Sequence, residues 1–226
     1  MSEVGTEKWG NMRIEFEFEI LSSEQQKPVD INPAIWTKYE FISEVLPHPT
    51  TSHSRADLKA LVSPAFREDD PQLIKELFVK IMMWGSGTTN GRGPRYTSKA
   101  LKESELVAVL IKVRELLLSS RISDAYDLHR RIPGVGPSFH TKLLWVIGSD
   151  LENLSPRPLI LDDVVWKGLK AVGWNSRKAA GTIRRGKRYE AYLKACEVLA
   201  SEVLASEKGC TAEDIEYSLF TLGRKS

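Results

Sequence analysis

Two aspartates stand side by side where an apolar run ends, in "PRPLILDDVVWKGL", which begins at Pro156. The hydrophobicity ahead of Asp162 and Asp163 predicts a buried segment that delivers both carboxylates to the start of a helix. A carboxylate in that position either caps the helix or acts as a charged catalytic group. The pair allows both, with Asp163 as the cap and Asp162 facing a cleft. Upstream, "IPGVGPSFHTK" over residues 132–142 offers a different chemistry. Gly134 and Gly136 can take positive φ or admit another backbone closely, and Pro137 suits a first helical position. The N–H groups that follow would point outward at the positive end of a helix dipole, which makes an anion site. A phosphodiester could then rest on the backbone around Gly134, Val135, Gly136 and Ser138, with Lys142 adding a charge one turn further on. The alternative is a tight turn between two helices, without a ligand.

These residues must be held by helices. "DDPQLIKELFVKIMMWG" has Asp70 as N-cap, Pro71 at the first helical position and Gly85 as terminator. Further helices are expected at about 35–45, 103–119, 124–131, 138–147, 164–172, 176–182, 188–208 and 211–222. A loop, "GSGTTNGRGPRYTSK", separates the first two long ones. "RIEFEFEI" over residues 13–20 alternates apolar and acidic residues and reads as a half-exposed strand or extended arm. The chain is therefore expected to be mostly α, with a minor N-terminal extended element. Three segments are anticipated: an arm and partial lobe over 1–69, a helical core over 70–185, and C-terminal helices over 186–226.

Composition narrows the field. Net charge is +2 over 226 residues, so affinity for nucleic acid must come from local clustering. Residues 167–188 supply a cluster: Lys167, Lys170, Arg177, Lys178, Arg184, Arg185, Lys187 and Arg188, with no acid among them. That suits a phosphate-binding flank. Two cysteines are too few for a disulfide framework or an iron–sulfur cluster, and they suit a reducing cytoplasm. Cysteines and histidines show no metal-ligand spacing, so neither metal nor cofactor is expected, and His140 reads as a surface residue. No apolar run approaches membrane-spanning length, and no Gly-Lys-Ser/Thr follows Gly87 as a P-loop would require. Trp36, Trp84, Trp145 and Trp174 read as core, whereas Trp166, just after the aspartate pair, is the best candidate for a pocket wall.

An apolar-Pro-Gly-Val-Gly hairpin, an amphipathic helix and then Pro-Leu-Ile-Leu-Asp entering another helix together resemble the helix-hairpin-helix DNA glycosylase superfamily. Within it, the chain looks like the short bacterial proteins of the 8-oxoguanine DNA glycosylase fold. The resemblance implies a two-lobed helical fold with the active site in the cleft, and a hairpin that grips the DNA backbone. It implies a catalytic carboxylate at Asp162, or at Asp163 if the match is shifted by one. The loop after Trp84 would insert a side chain into the base stack, making Asn90 and Arg92 candidate plugs and Arg95 a phosphate contact, with Lys167 of the basic segment a further DNA contact. A late helix would line the base pocket, with Glu216 four residues before Phe220. Strand-cutting members carry a lysine two residues after the second hairpin glycine, and this chain has Ser138 there. The resemblance thus implies a monofunctional glycosylase that leaves an abasic site, with Lys142 as a displaced nucleophile the alternative. Ser138 lies 24 residues before Asp162, more than such enzymes usually have, the surplus falling in "SDLENLSPRP". The implied partner is double-stranded DNA, bound by a monomer in the cytoplasm and on the nucleoid. Two rival readings are a non-catalytic DNA-binding module and a helical protein-interaction domain.

Overall fold

The computed structural model describes residues 7–9, 12–14, 19–206 and 209–225. Among the described residues there are four short strands, β1 (Glu7–Trp9), β2 (Met12–Ile14), β3 (Val29–Asp30) and β4 (Ser52–His53), and the remaining regular structure is helical. The chain divides into two units: Lys27–Leu154, and the N-terminal segment to Gln26 together with Ser155–Ser226. That division runs through the 70–185 segment rather than along its ends.

The first unit contains α1 (Pro33–Trp36), α2 (Glu40–Val45), α3 (Arg55–Ala60), α4 (Val62–Arg67), α5 (Pro71–Gly85), α6 (Gly93–Leu101), α7 (Leu106–Leu118), α8 (Ile122–Asp127) and α9 (Pro137–Ile147). The carboxylate of Asp70 accepts hydrogen bonds from the N–H groups of Gln72 and Leu73, and Pro71 opens α5 as its sequence predicts. The last turns of α5 bury Val79, Ile81, Met82, Met83 and Trp84 on every side. A helix apolar all round belongs in a core, and α2, α4, α6, α7 and α9 all pack against this one. Trp84 stacks on Trp145 of α9 with ring centroids 5.5 Å apart.

Local sequence explains the departures from expectation in this unit. The helix expected over 35–45 is two helices, because Tyr39 is extended (φ −99°, ψ 112°) and restarts the chain as a cap for α2. The loop after Trp84 is shorter than expected: Gly87, Asn90 and Gly91 turn it through positive φ. Pro94, in the first turn, then starts α6 within the stretch read as loop. The helix expected over 124–131 ends at Asp127 and continues as a 3₁₀ turn, Leu128–Arg131.

The second unit contains α10 (Asp163–Ala171), α11 (Ser176–Ala180), α12 (Arg185–Ser206) and α13 (Ala212–Lys225). Helices α10 and α13 cross at glycines. A Cβ on Gly168 would collide with the Leu219 carbonyl oxygen, and one on Gly223 with the Val164 carbonyl oxygen. The chain's early residues are tied to α13: Leu21 N–H donates to Ser218 Oγ at 2.8 Å and Ser23 N–H to Asp214 Oδ1 at 2.6 Å. The extended element begins earlier than the 13–20 run, β1 pairing antiparallel with β2 so that Trp9 faces Met12. Residues 15–18 of that run, and 207–208 at the end of the expected 188–208 helix, lie outside the described residues.

Candidate functional site

The sequence-predicted residues fall in both units. In Lys27–Leu154 the turn at residues 132–137 closes with Val135 N–H donating to Ile132 O at 3.1 Å, and both apolar side chains are buried. Gly134 has φ +82°, and a Cβ there would lie 3.1 Å from Tyr96 of α6. Glycine is thus required twice over, by conformation and by space. Gly136 needs neither freedom: it is the N-cap of α9 with φ −77° and ψ 171°, and nothing lies within 4 Å of its would-be Cβ. What it provides is access. It is exposed, it caps α9 with no side-chain hydrogen bond, and Pro137 follows. The first N–H groups of an α-helix have no intrahelical acceptor, so α9 presents Ser138 and its neighbours to an outside anion.

Two residues of α9 do something other than expected. Lys142 is only 7% exposed. Its Cδ packs on Gly85, and its ammonium lies 5.7 Å from the Phe139 ring. His140 is not a surface residue: it is fully buried, and its Nε2 lies 2.8 Å from Ala125 O. Burial pulls its pKa down to about 4, the bond to Ala125 opposing that shift. The ring is therefore neutral at pH 7, with Nε2–H as the donor. His129 lies beside it, ring centroids 5.8 Å apart, and its Nδ1 is 2.9 Å from Tyr126 O.

In the loop after α5, Asn90 is not poised as a plug. It is 2% exposed. Its Oδ1 accepts from Trp36 Nε1 at 2.6 Å, and its Nδ2 donates to Thr88 O. This asparagine holds the loop on the core. Arg92 and Arg95 are exposed.

In the second unit, the segment entering α10 is buried and anchored by two tyrosines of α12. Tyr189 Oη donates to Leu159 O at 2.6 Å and accepts from Leu159 N–H at 3.2 Å. Tyr192 Oη donates to Ile160 O at 2.9 Å. The chain emerges at Asp162, which is extended (φ −99°, ψ −177°), and its Oδ1 accepts from the N–H groups of Val164 and Val165 at 3.0 Å each. The helix cap is therefore Asp162 and not Asp163, which is exposed in the first turn of α10. Both backbone donors converge on a single oxygen of the half-buried carboxylate.

Trp166, one turn into α10, is half-buried, whereas Trp36, Trp84, Trp145 and Trp174 are buried. Trp174 meets Trp166 edge-on at 6.1 Å, and the Arg188 guanidinium lies 6.0 Å from the Trp166 ring. On α13, Glu216 is 1% exposed. It adds to the electrostatic load on Tyr192 and Cys196, whose proton affinities are raised mainly by burial. Phe220 is half-buried and stacks on Tyr217 at 6.4 Å. Lys167, Lys170, Arg177, Lys178, Arg184, Arg185 and Lys187 are all exposed. Among the described residues, no group of three His, Cys, Asp or Glu side chains could hold a metal ion, and no helix is long and apolar enough to cross a membrane.

Residues 22–220 match the family described as "Putative 8-oxoguanine DNA glycosylase OGG-like protein". The chain belongs to that family. No curated protein and no solved structure matches it. Membership makes DNA the partner of this OGG-like chain and points to a DNA glycosylase with a mostly helical fold. Several residues that shape the elements above were not singled out from sequence. Tyr189 and Tyr192 are spaced i, i+3 on one face of α12 and so could have been read as a pair. Gly168 is a glycine inside an otherwise regular helix, a known sign of close packing. Tyr96, which packs on Gly134, carried no signal at all.

Proposed function

We propose that this OGG-like protein is a monofunctional DNA glycosylase that extrudes a modified base from double-stranded DNA and hydrolyses its N-glycosidic bond at Asp162. The observation that carries this reading is the carboxylate of Asp162, fixed by two backbone donors on one oxygen, on a segment anchored by Tyr189 and Tyr192. A fixed negative charge costs no reorganisation when positive charge develops beside it. As the C1′–N bond breaks, its electron pair leaves with the base and the sugar gains oxocarbenium character. Asp162 stabilises that cation and relays a proton from the water that adds to C1′ to the departed base, leaving an abasic site and a neutral free base. Strand cleavage by a Schiff base would need an amine nucleophile. Position 138 is serine, and Lys142 is packed between Gly85 and Phe139.

Gly134, Val135, Gly136 and Ser138 at the head of α9 bind a phosphodiester, and Arg95 and Lys167 bind further phosphates. Arg92 fills the space that the extruded nucleotide leaves. Trp166, Glu216 and Phe220 form the base pocket. Glu216 reads the hydrogen-bonding edge of the base through its carboxyl group. That suits oxidised guanine in repair, and also alkylated bases or the hypermodified bases of phage DNA.

The test is release of free base and alkali-labile sites from duplexes carrying a panel of modified bases, glucosylated phage DNA included, by wild type and Asp162→Asn. Release by wild type alone supports the reading. Strand breaks before alkali overturn the monofunctional assignment in favour of Lys142. Tight binding without release from any DNA overturns catalysis and leaves a DNA-binding module.

A further inference from the structure

Within the Lys27–Leu154 unit, a recess of about 360 Å³ is lined by Tyr39, Arg95, Tyr96, Ser98, Lys99 and Lys102. Its walls are mostly apolar, supplied by two tyrosines and the aliphatic stems of long side chains, and no carboxylate lines it. Arg95, Lys99 and Lys102 follow one another at i, i+4 and i+7, so one face of α6 and its C-cap residue carry all three cations. All three are exposed. Among the described residues none of them makes an ion pair, Lys102 having only the Phe41 ring at 5.0 Å. Tyr96 also forms the backbone wall against which Gly134 packs, 3.1 Å from its would-be Cβ, so α6 and the 132–137 turn are locked together.

An apolar slot of this size with tyrosine walls and an unneutralised cationic rim suits a ligand that is flat and apolar at one end and anionic at the other. A peptide carboxylate would leave the aromatic walls unused, and a bare phosphodiester would leave the slot unfilled. We propose that the recess binds one unpaired nucleotide, its base against Tyr39 and Tyr96 and its phosphate on Arg95, Lys99 and Lys102. Stacking on aromatics beside a cationic track is how single-stranded nucleic acid is held without sequence preference. The site goes beyond the glycosylase reading and requires no chemistry at Asp162. The nucleotide belongs either to a strand, at a gap or overhang, or to the free pool.

The test uses the full chain and unmodified DNA, so that no base is released. Fluorescence anisotropy follows binding of three probes: oligo(dT), a blunt duplex, and the same duplex with an oligo(dT) overhang. Thymidine monophosphate serves as competitor. Tyr39→Ala is expected to weaken oligo(dT) and overhang binding about tenfold while changing blunt-duplex binding less than twofold, and Tyr39→Phe to restore it. Lys99→Glu should weaken the same two probes and flatten their salt dependence. Competition by the monophosphate assigns the free-nucleotide source, and its absence assigns the strand. Equal affinities of Tyr39→Ala and wild type for every probe would overturn the proposal. So would an equal loss on blunt duplex, which would mean that the recess follows paired backbone. Base release from a modified duplex, measured in parallel with Tyr39→Ala and Asp162→Asn, keeps the two readings separate. Only the second variant bears on catalysis, and only the first on the recess.

Discussion

Replacing Tyr189 by phenylalanine isolates the hydroxyl that fastens the segment leading to Asp162. That hydroxyl serves both backbone groups of Leu159, as donor to the carbonyl at 2.6 Å and acceptor from the N–H at 3.2 Å. Leu159 is 0% exposed, so water cannot take over either group without opening the unit. Two lost hydrogen bonds at about 1 kcal/mol each set a lower figure of about 2 kcal/mol. Leaving both groups buried and unsatisfied raises the cost to roughly 4 kcal/mol. For a chain of this size that is a fall in Tm of roughly 4–15 °C. Differential scanning calorimetry measures it directly, with Tyr192→Phe, which removes one such bond to Ile160, expected to cost about half as much. If Asp162 acts as proposed, single-turnover base release below the transition should also slow, by as much as about a hundredfold for a misplacement near 1 Å, with duplex affinity unchanged. A Tm within one degree of wild type would refute the anchoring argument. A lowered Tm with an unchanged rate would refute the link from anchor to carboxylate.

Other perturbations separate structure from chemistry in the same way. Asp162→Ala loses the cap of α10 and should cost about 1 kcal/mol in denaturant unfolding, whereas Asp162→Asn keeps a capping oxygen and should fold as wild type while releasing no base. Gly168→Ala drives a methyl group into the Leu219 carbonyl and should destabilise by about 1–3 kcal/mol, with a lowered urea midpoint as the readout. Gly134→Ala must hold φ +82° against Tyr96 and should weaken duplex binding and lower Tm, by roughly 1–3 kcal/mol for the backbone strain. Gly136→Ala meets no neighbour, and the weaker N-cap is offset by the stiffer unfolded chain, so Tm should shift by no more than about 3 °C. His140 predicts acid sensitivity. Its folded pKa of about 4 lies below the usual 6.5, so the unfolded chain binds the extra proton as pH falls between those values. Stability is full above pH 6.5 and should drop by roughly 2 kcal/mol by pH 5, the buried His53 shifting in the same direction. Unfolding free energies equal at pH 7 and pH 5 would contradict this.

The helices most legible in the sequence were those with explicit punctuation. Asp70-Pro71 opens α5 and Gly136-Pro137 opens α9. The apolar periodicity between such signals carries the rest, because burial of one face is what stabilises a helix. Around the aspartate pair, the buried approach and the helix start were readable, but the sharing of duties between Asp162 and Asp163 was not. A cap is decided by φ and ψ at one residue, and both neighbours are chemically equal candidates. Asn90 misled for a related reason. A polar residue in a glycine-rich loop reads as exposed, yet a bond to Trp36, 54 residues away in sequence, makes it core. His140 likewise lies on a helix whose buried face is wider than its apolar residues suggest. Long-range partners of that kind, like the glycine crossing of α10 and α13, leave almost no local trace.

The bonds from Leu21 and Ser23 to Ser218 and Asp214 span nearly the whole chain, with separations of 197 and 191 residues. A ribosome makes residues 27–154 as an uninterrupted stretch, and that unit can collapse while synthesis continues. The unit holding Asp162 cannot. Leu21 and Ser23 must wait for their partners until α13 has left the exit tunnel. The carboxylate proposed to break glycosidic bonds is therefore set in place only once α13 has been made, after the unit bearing the Gly134 turn has had time to form.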